Sequence, residues 1–314
     1  MNNDIEELKP LSFENNNEDD KLQPLNFESN YSSNITDEFI PITGGTKTEI
    51  KNKKSNFVCL FGSASSGKSV ILSSLLYYLK ARAGVLKPTP DTPNSKEANI
   101  LFSQFLDDIS KGILPLRTTK DQITRFDYVF KPNNKSKKVI PINLTFLDTA
   151  GDNNNEIRHG GKFHSSLEDY LNAGISLTFI IVTSYENAHK EDTFINEFID
   201  ELEKKGNNIK SINIIVVISK WDKSGKNYAS NEEIENFISE RLPMTDNMID
   251  VHNLARTYYT IGTVNNVNGQ EKVTQLNLDT AEVLGKWLYK RITGYPLDYE
   301  GTFLEKIKFS LFDS

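Results

Sequence analysis

The sequence predicts an α/β fold on a doubly wound, mostly parallel sheet, and three observations carry that expectation. Residues 176–183 and 211–219 are continuous apolar, β-branched runs, the pattern of strands buried on both faces. Amphipathic stretches with helical spacing alternate with such runs along the chain. A glycine-containing loop at 62–69 joins a short apolar run to a helical one, as at the first turn of many α/β sheets.

The elements follow in order. Residues 56–61 read as a strand. Residues 69–82 then place Ile71, Leu72, Leu75, Leu76 and Leu79 at helical spacing. A second helix is expected over 98–111, with Leu101, Phe102, Phe105, Leu106 and Ile109 on one face. Residues 124–131 and 138–147 read as two strands joined through Pro132, Asn133, Asn134 and Lys135. After the strand at 176–183 comes an amphipathic helix at 192–205, the strand at 211–219, a short strand at 257–261 and a closing helix at 280–292.

Charge divides the chain. Residues 1–50 carry 11 acidic and 3 basic side chains, a net of −8. The other 264 residues hold 33 basic and 32 acidic side chains, a net of +1 within the total of −7. Such a polar, acidic leader buries too little apolar surface to offset its ordering entropy, and it is expected to be disordered. The organisation predicted is a leader at 1–50, a folded domain at 51–294 and a C-terminal tail at 295–314. The near-neutral body offers no electrostatic footprint for nucleic acid. No run approaches the roughly 18 apolar residues of a membrane span. The leader lacks the basic and apolar regions of a secretory signal. Met1-Asn2 and Phe312-Asp313-Ser314 match no lipidation box. Cys59, the single cysteine, can form neither an intramolecular disulfide nor a cysteine metal cluster. A cytoplasmic protein without a direct membrane anchor is the expectation.

Gly62-Ser63-Ala64-Ser65-Ser66-Gly67-Lys68-Ser69 fits G-x-x-x-x-G-K-[ST] without a mismatch. In that motif the glycines let the backbone curl until successive N–H groups face phosphate oxygens. Lys68 then reaches the β- and γ-phosphates, the Ser69 hydroxyl ligates Mg²⁺, and the helix adds its positive end. The flanking strand and helix supply the context that the motif requires.

Asp148-Thr149-Ala150-Gly151 ends the strand at 138–147. An aspartate at that strand end can hold the Mg²⁺ shell, and Gly151 can offer a backbone N–H to the γ-phosphate, so that losing the phosphate releases the loop. Ser219-Lys220-Trp221-Asp222 ends the strand at 211–219 and resembles the Asn/Thr-Lys-x-Asp element of GTPases. A carboxylate at Asp222 can accept from both N–H donors of guanine, a pair that adenine lacks, and the Lys220 stem can pack along the base. Ser219 stands where Asn is usual, which puts a tether to the phosphate loop or the guanine edge in question.

Together these elements resemble the translation-factor-related (Ras-like) class of P-loop GTPases over residues 55–293. The resemblance implies GTP/GDP and Mg²⁺ as cofactors. It implies a last guanine-contacting loop at Gly262-Thr263-Val264, for which Thr263 is the candidate and a plain turn the alternative. Residues 112–119 resemble the Gly-x-x-Pro-x-x-Thr first switch of bacterial GTPase-like domains. By that match Thr118 is the switch threonine on Mg²⁺, with Thr119 the near alternative, and Arg117 can act as a catalytic finger in cis. Where Ras-like enzymes place a water-orienting glutamine, this chain has Asp152. Its charge lies near the γ-phosphate, so fast unassisted hydrolysis is not implied. Arg158 and His159 are further candidates for transition-state contacts, or plain loop residues.

The reading is a guanine-nucleotide switch with slow or partner-assisted hydrolysis. A nucleotide-binding module without turnover and a P-loop ATPase stay open beside it. A separate activating protein is one source for a catalytic group. The leader repeats a unit: Leu8-Lys9-Pro10-Leu11-Ser12-Phe13-Glu14 returns as Leu22-Gln23-Pro24-Leu25-Asn26-Phe27-Glu28. Two copies of an extended docking peptide at 8–14 and 22–28 can bind a protein partner with avidity; a neutral duplication is the alternative.

Overall fold

The computed structural model describes Ile50 and residues 54–89, 95–115 and 123–300. The repeats at 8–14 and 22–28, together with Arg117, Thr118 and Thr119, lie outside the described residues.

The strands are β1 (Asn56–Phe61), β2 (Gly84–Pro88), β3 (Ile123–Pro132), β4 (Ile142–Thr149), β5 (Leu177–Ser184), β6 (Asn213–Ser219), β7 (Ala255–Tyr258), β8 (Gly262–Val267) and β9 (Gln270–Leu276). The first seven form one sheet in the order β2-β3-β4-β1-β5-β6-β7, and β8-β9 is a separate hairpin. Pairing is parallel from β4 through β1, β5 and β6 to β7, and antiparallel at β2-β3 and β3-β4. The α/β class and the mostly parallel sheet are as expected.

The helices are α1 (Lys68–Tyr78), α2 (Ser95–Ser110), α3 (Gly151–Asn154), α4 (Ser165–Leu171), α5 (Ala188–Lys204), α6 (Asn231–Arg241), α7 (Pro243–His252) and α8 (Asp279–Thr293). They cover both faces of the sheet, whose central strands are buried at nearly every position. In β1, Phe57, Cys59 and Phe61 enter one core with Phe194 and Phe198 of α5. Val58 and Leu60 enter the other, with Leu72 and Leu75 of α1 and Leu284 of α8. The first core is built on aromatic rings: Phe198 packs 4.3 Å from Phe61, 5.0 Å from Phe179 and 5.5 Å from Phe163, centroid to centroid.

Several expected boundaries move. The strand predicted over 138–147 starts at Ile142, because the Asn134 side chain accepts from the Ser136 N–H at 2.8 Å and folds the chain before it into turns. The short strand near 257–261 is Ala255–Tyr258; beyond it Thr280 donates to the Thr260 carbonyl at 2.6 Å and draws the chain toward α8. Helix α1 ends at Tyr78 and passes into a wider π turn at Leu79–Ala83 before β2. The folded domain reaches past both expected limits. Ile50 is buried in the first core, and Leu297 is buried in the second. The Asn134 amide donates to the carbonyls of Leu297 and Tyr299, each at 3.0 Å. The start of the expected tail therefore packs on the domain. Among the described residues no helix is long and apolar enough to cross a membrane.

Candidate functional site

The loop Gly62–Ser69 leaves the carboxyl end of the central strand, where α/β sheets open a crevice. Helix α1 begins directly after it with no side chain capping its N-terminus, and no acidic residue stands in its first turn. The amino end of the helix, positive by its dipole, therefore adjoins the loop, the arrangement that suits an anion. The Lys68 side chain is buried and its ammonium donates to the carbonyls of Gly62 (2.9 Å) and Ser63 (2.8 Å). The Ser69 hydroxyl donates to Asp148 Oδ2 at 3.0 Å, so the two expected Mg²⁺ ligands converge.

The donor chemistry fits that ion. Mg²⁺ is held by one or two protein oxygens, its other positions going to phosphate and water. A hydroxyl and a carboxylate side by side meet that need. Among the described residues no group of three or more His, Cys, Asp or Glu could hold a metal alone.

Gly151 begins the short helix α3 pressed against the loop. A Cβ built on it would lie 2.3 Å from Ala64 N and 2.4 Å from Ala64 Cα. Only glycine allows this close approach of two backbones. Thr149 donates to the Leu60 carbonyl at 2.6 Å, and the Asn154 amide donates to Thr149 Oγ1 (2.8 Å) and the Gly62 carbonyl (2.9 Å). The Asp148–Gly151 segment and the phosphate-type loop are thus one hydrogen-bonded unit.

On the other side, the Ser219 hydroxyl donates to the Ser66 carbonyl. The tether that the serine put in question is made. Beyond it, Lys220 holds a left-handed conformation (φ 55°) and Trp221–Ser224 forms a single 3₁₀ turn. That turn brings the half-buried Asp222 to a mostly apolar hollow with Val70, Ile71, Tyr259, Ile261 and Val264. Burial pushes the Asp222 carboxyl above the ordinary aspartate range.

The hollow around Asp222 and the one around Lys68 and Gly151 share Gly67, Val70, Leu114, Lys220 and Glu271, so they form one groove. Of the expected residues, Ala64, Ser65, Gly67, Lys68, Ser69 and Gly151 line one half, and Gly67, Ser219, Lys220 and Asp222 the other. Thr263 is not among the residues that line the hollow. It lies in β8 opposite Gln275, beside a bulge, and the hollow is lined by its neighbours Ile261 and Val264 instead. Strand alternation past that bulge turns Val264 inward in its place. Asp152 stands in α3 but does not line the groove, and neither do Arg158 or His159. Arg158 lies 4.4 Å over the Phe194 ring and donates to Asn155 Oδ1, while the His159 N–H donates to Glu197 at 2.8 Å. These contacts hold the Asn155–Gly160 turn against α5.

Two residues of consequence carry no local motif. Glu191 of α5 is buried and accepts from the Ser63 hydroxyl and from Thr183 Oγ1 (2.5 Å). Its neighbour Asp192 accepts from the N–H groups of Met244 (2.9 Å) and Thr245 (2.8 Å) at the start of α7, and from the Thr245 hydroxyl (2.7 Å). Glu271 reaches the groove from the β8-β9 hairpin. The signal for that hairpin is Asn268-Gly269, an Asn-Gly turn between alternating residues, both at positive φ.

A comparison of the chain with protein-family models finds no match, and neither does a comparison with curated proteins.

Proposed function

We propose that the chain is a guanine-nucleotide-binding switch that takes Mg²⁺ with GTP or GDP. The observation that carries this reading is the single groove, with an anion-ready loop at one end and the carboxylate of Asp222 at the other. The order matches a nucleoside phosphate. Phosphates would lie on the loop and the uncapped α1 N-terminus, with Lys68 exchanging its two carbonyls for phosphate oxygens. Ser69 and Asp148 would hold the Mg²⁺, which neutralises charge on the phosphates when bound. The base would enter the apolar hollow and meet Asp222, while Ser219 braces the loop through Ser66. Gly151, packed on Ala64, would sense whether a γ-phosphate is present. Arg117 and Thr118 belong to this reading from the sequence alone, as does a protein partner for the leader repeats.

Equilibrium binding of GTP, ATP and XTP with Mg²⁺ tests it. The expected result is GTP preferred over ATP, binding abolished by Lys68→Ala, and preference moved toward XTP by Asp222→Asn. ATP preferred over GTP would overturn it.

A second reading, nucleotide binding without turnover, draws on Arg158. That cation is engaged on Phe194, and Asp152 replaces the usual water-orienting group. Multiple-turnover phosphate release from wild type, lost in Lys68→Ala, would exclude it.

A further inference from the structure

We propose that Glu271 recognises the ribose hydroxyls of the bound nucleotide and makes the groove selective for ribo- over 2′-deoxyribonucleotides. This rests on the guanine-nucleotide reading of the groove. In any nucleotide the sugar joins base to phosphate, so side chains that line both halves flank the sugar. Glu271 is the one acidic side chain among the residues common to both halves. An ionised carboxylate only accepts hydrogen bonds, and a ribose cis-diol offers two O–H donors side by side. The same complementarity places an acidic residue on the ribose in dinucleotide-binding folds.

The side chain is available and its backbone is fixed. Its present partner is Lys223, with Nζ 3.6 Å from the carboxylate; the Glu271 side chain is 59% exposed and that of Lys223 37%. An exposed pair of this kind is weak and is readily exchanged for a ligand. The strand behind it is held firmly. The Val273 N–H donates to the Gly112 carbonyl at 2.8 Å, and Ile113 bridges Lys272, the residue next to Glu271. Val273 is buried with Ile109 and Ile261. Gly112, at φ +71°, lies so close that an added Cβ would be 2.1 Å from the Val273 carbonyl oxygen. The hairpin is thereby moored to the end of α2, which keeps Glu271 over the middle of the groove.

The test is equilibrium binding of Mg²⁺–GDP, 2′-deoxy-GDP and ADP to the full chain, for wild type, Glu271→Gln and Glu271→Ala. Diphosphates avoid hydrolysis during the measurement, and thermal melts check that each variant is folded. Wild type is expected to prefer GDP over 2′-deoxy-GDP by roughly tenfold, the scale of one hydrogen bond to a charged group. Glu271→Ala should remove the ribose preference, weakening GDP by more than 2′-deoxy-GDP, which keeps only its 3′-hydroxyl, with Glu271→Gln between. Equal binding of GDP and 2′-deoxy-GDP by wild type, or equal weakening of both by Glu271→Ala, would overturn the proposal alone. A ribose preference that holds while ADP binds as tightly as GDP would support Glu271 and overturn guanine selectivity. No binding of any of the three would overturn both.

Discussion

The Ser219 hydroxyl donates to the Ser66 carbonyl, joining the end of β6 to the loop that opens α1. The carboxyl ends of β1 and β6, which β5 separates in the sheet, are thus locked by one hydroxyl. Ser219→Ala removes that bond without adding bulk, leaving a buried carbonyl short of a donor. The expected result is nucleotide affinity lowered by about threefold to tenfold, measured by calorimetry.

Gly151→Ala puts a methyl group into the Ala64 backbone, which cannot yield as a side chain could. The segment must move off the loop. Overpacking of this kind costs about 1–3 kcal/mol. The denaturant midpoint should fall, and discrimination between GTP and GDP should shrink. A variant with wild-type stability and discrimination would mean that the close approach has no role.

Glu191 is a buried acceptor for two hydroxyls, those of Ser63 and Thr183. Glu191→Ala strands both, and unpaired buried donors cost about 1–3 kcal/mol. Glu191→Gln keeps an acceptor oxygen and should lose less. Urea unfolding of the two variants beside wild type checks the order.

Burial raises the Asp222 pKa, so the fold favours its neutral form. The stability tied to that proton is present at low pH and lost as pH rises through the raised value. Asp222→Asn stays neutral throughout. It should melt higher than wild type at neutral pH, with the gap closing on acidification. The proposed guanine recognition needs the ionised form and runs the other way, so wild-type GDP affinity should fall as pH drops through the same value. Melts and binding isotherms across the acid-to-neutral range measure both.

Gly112→Ala combines a strained φ with a clash against the Val273 carbonyl. It should cast the β8-β9 hairpin loose from α2. Faster amide exchange at Val273 is the expected readout.

Strands buried on both faces, such as Leu177–Ser184, were legible because such burial selects a continuous run of apolar and β-branched residues. The loop at 62–69 was legible because its chemistry is local. The groove as a whole was not. Glu191 lies 128 positions from Ser63, and no periodicity announces a contact that only the fold brings together. Thr263 has only its position after a strand to mark it in the sequence, and a bulge decides which neighbour turns inward. Asn268-Gly269 marks the hairpin, and Ser230 with Glu233 forms the capping box that opens α6. Helix α6 and the edge strand β2 went unassigned because each is short and mixed in polarity.

Cys59 sits at the centre of β1 with no exposed surface, and burial pushes its thiol far above the ordinary range. The thiolate is the reactive species, so this sulfur is silent toward alkylating dyes at neutral pH. The folded chain is expected to behave as cysteine-free toward such reagents, which a thiol-labelling assay checks. One cysteine placed at the exposed Ile113 would then carry a fluorophore alone, beside the hairpin mooring, and report nucleotide arrival in real time.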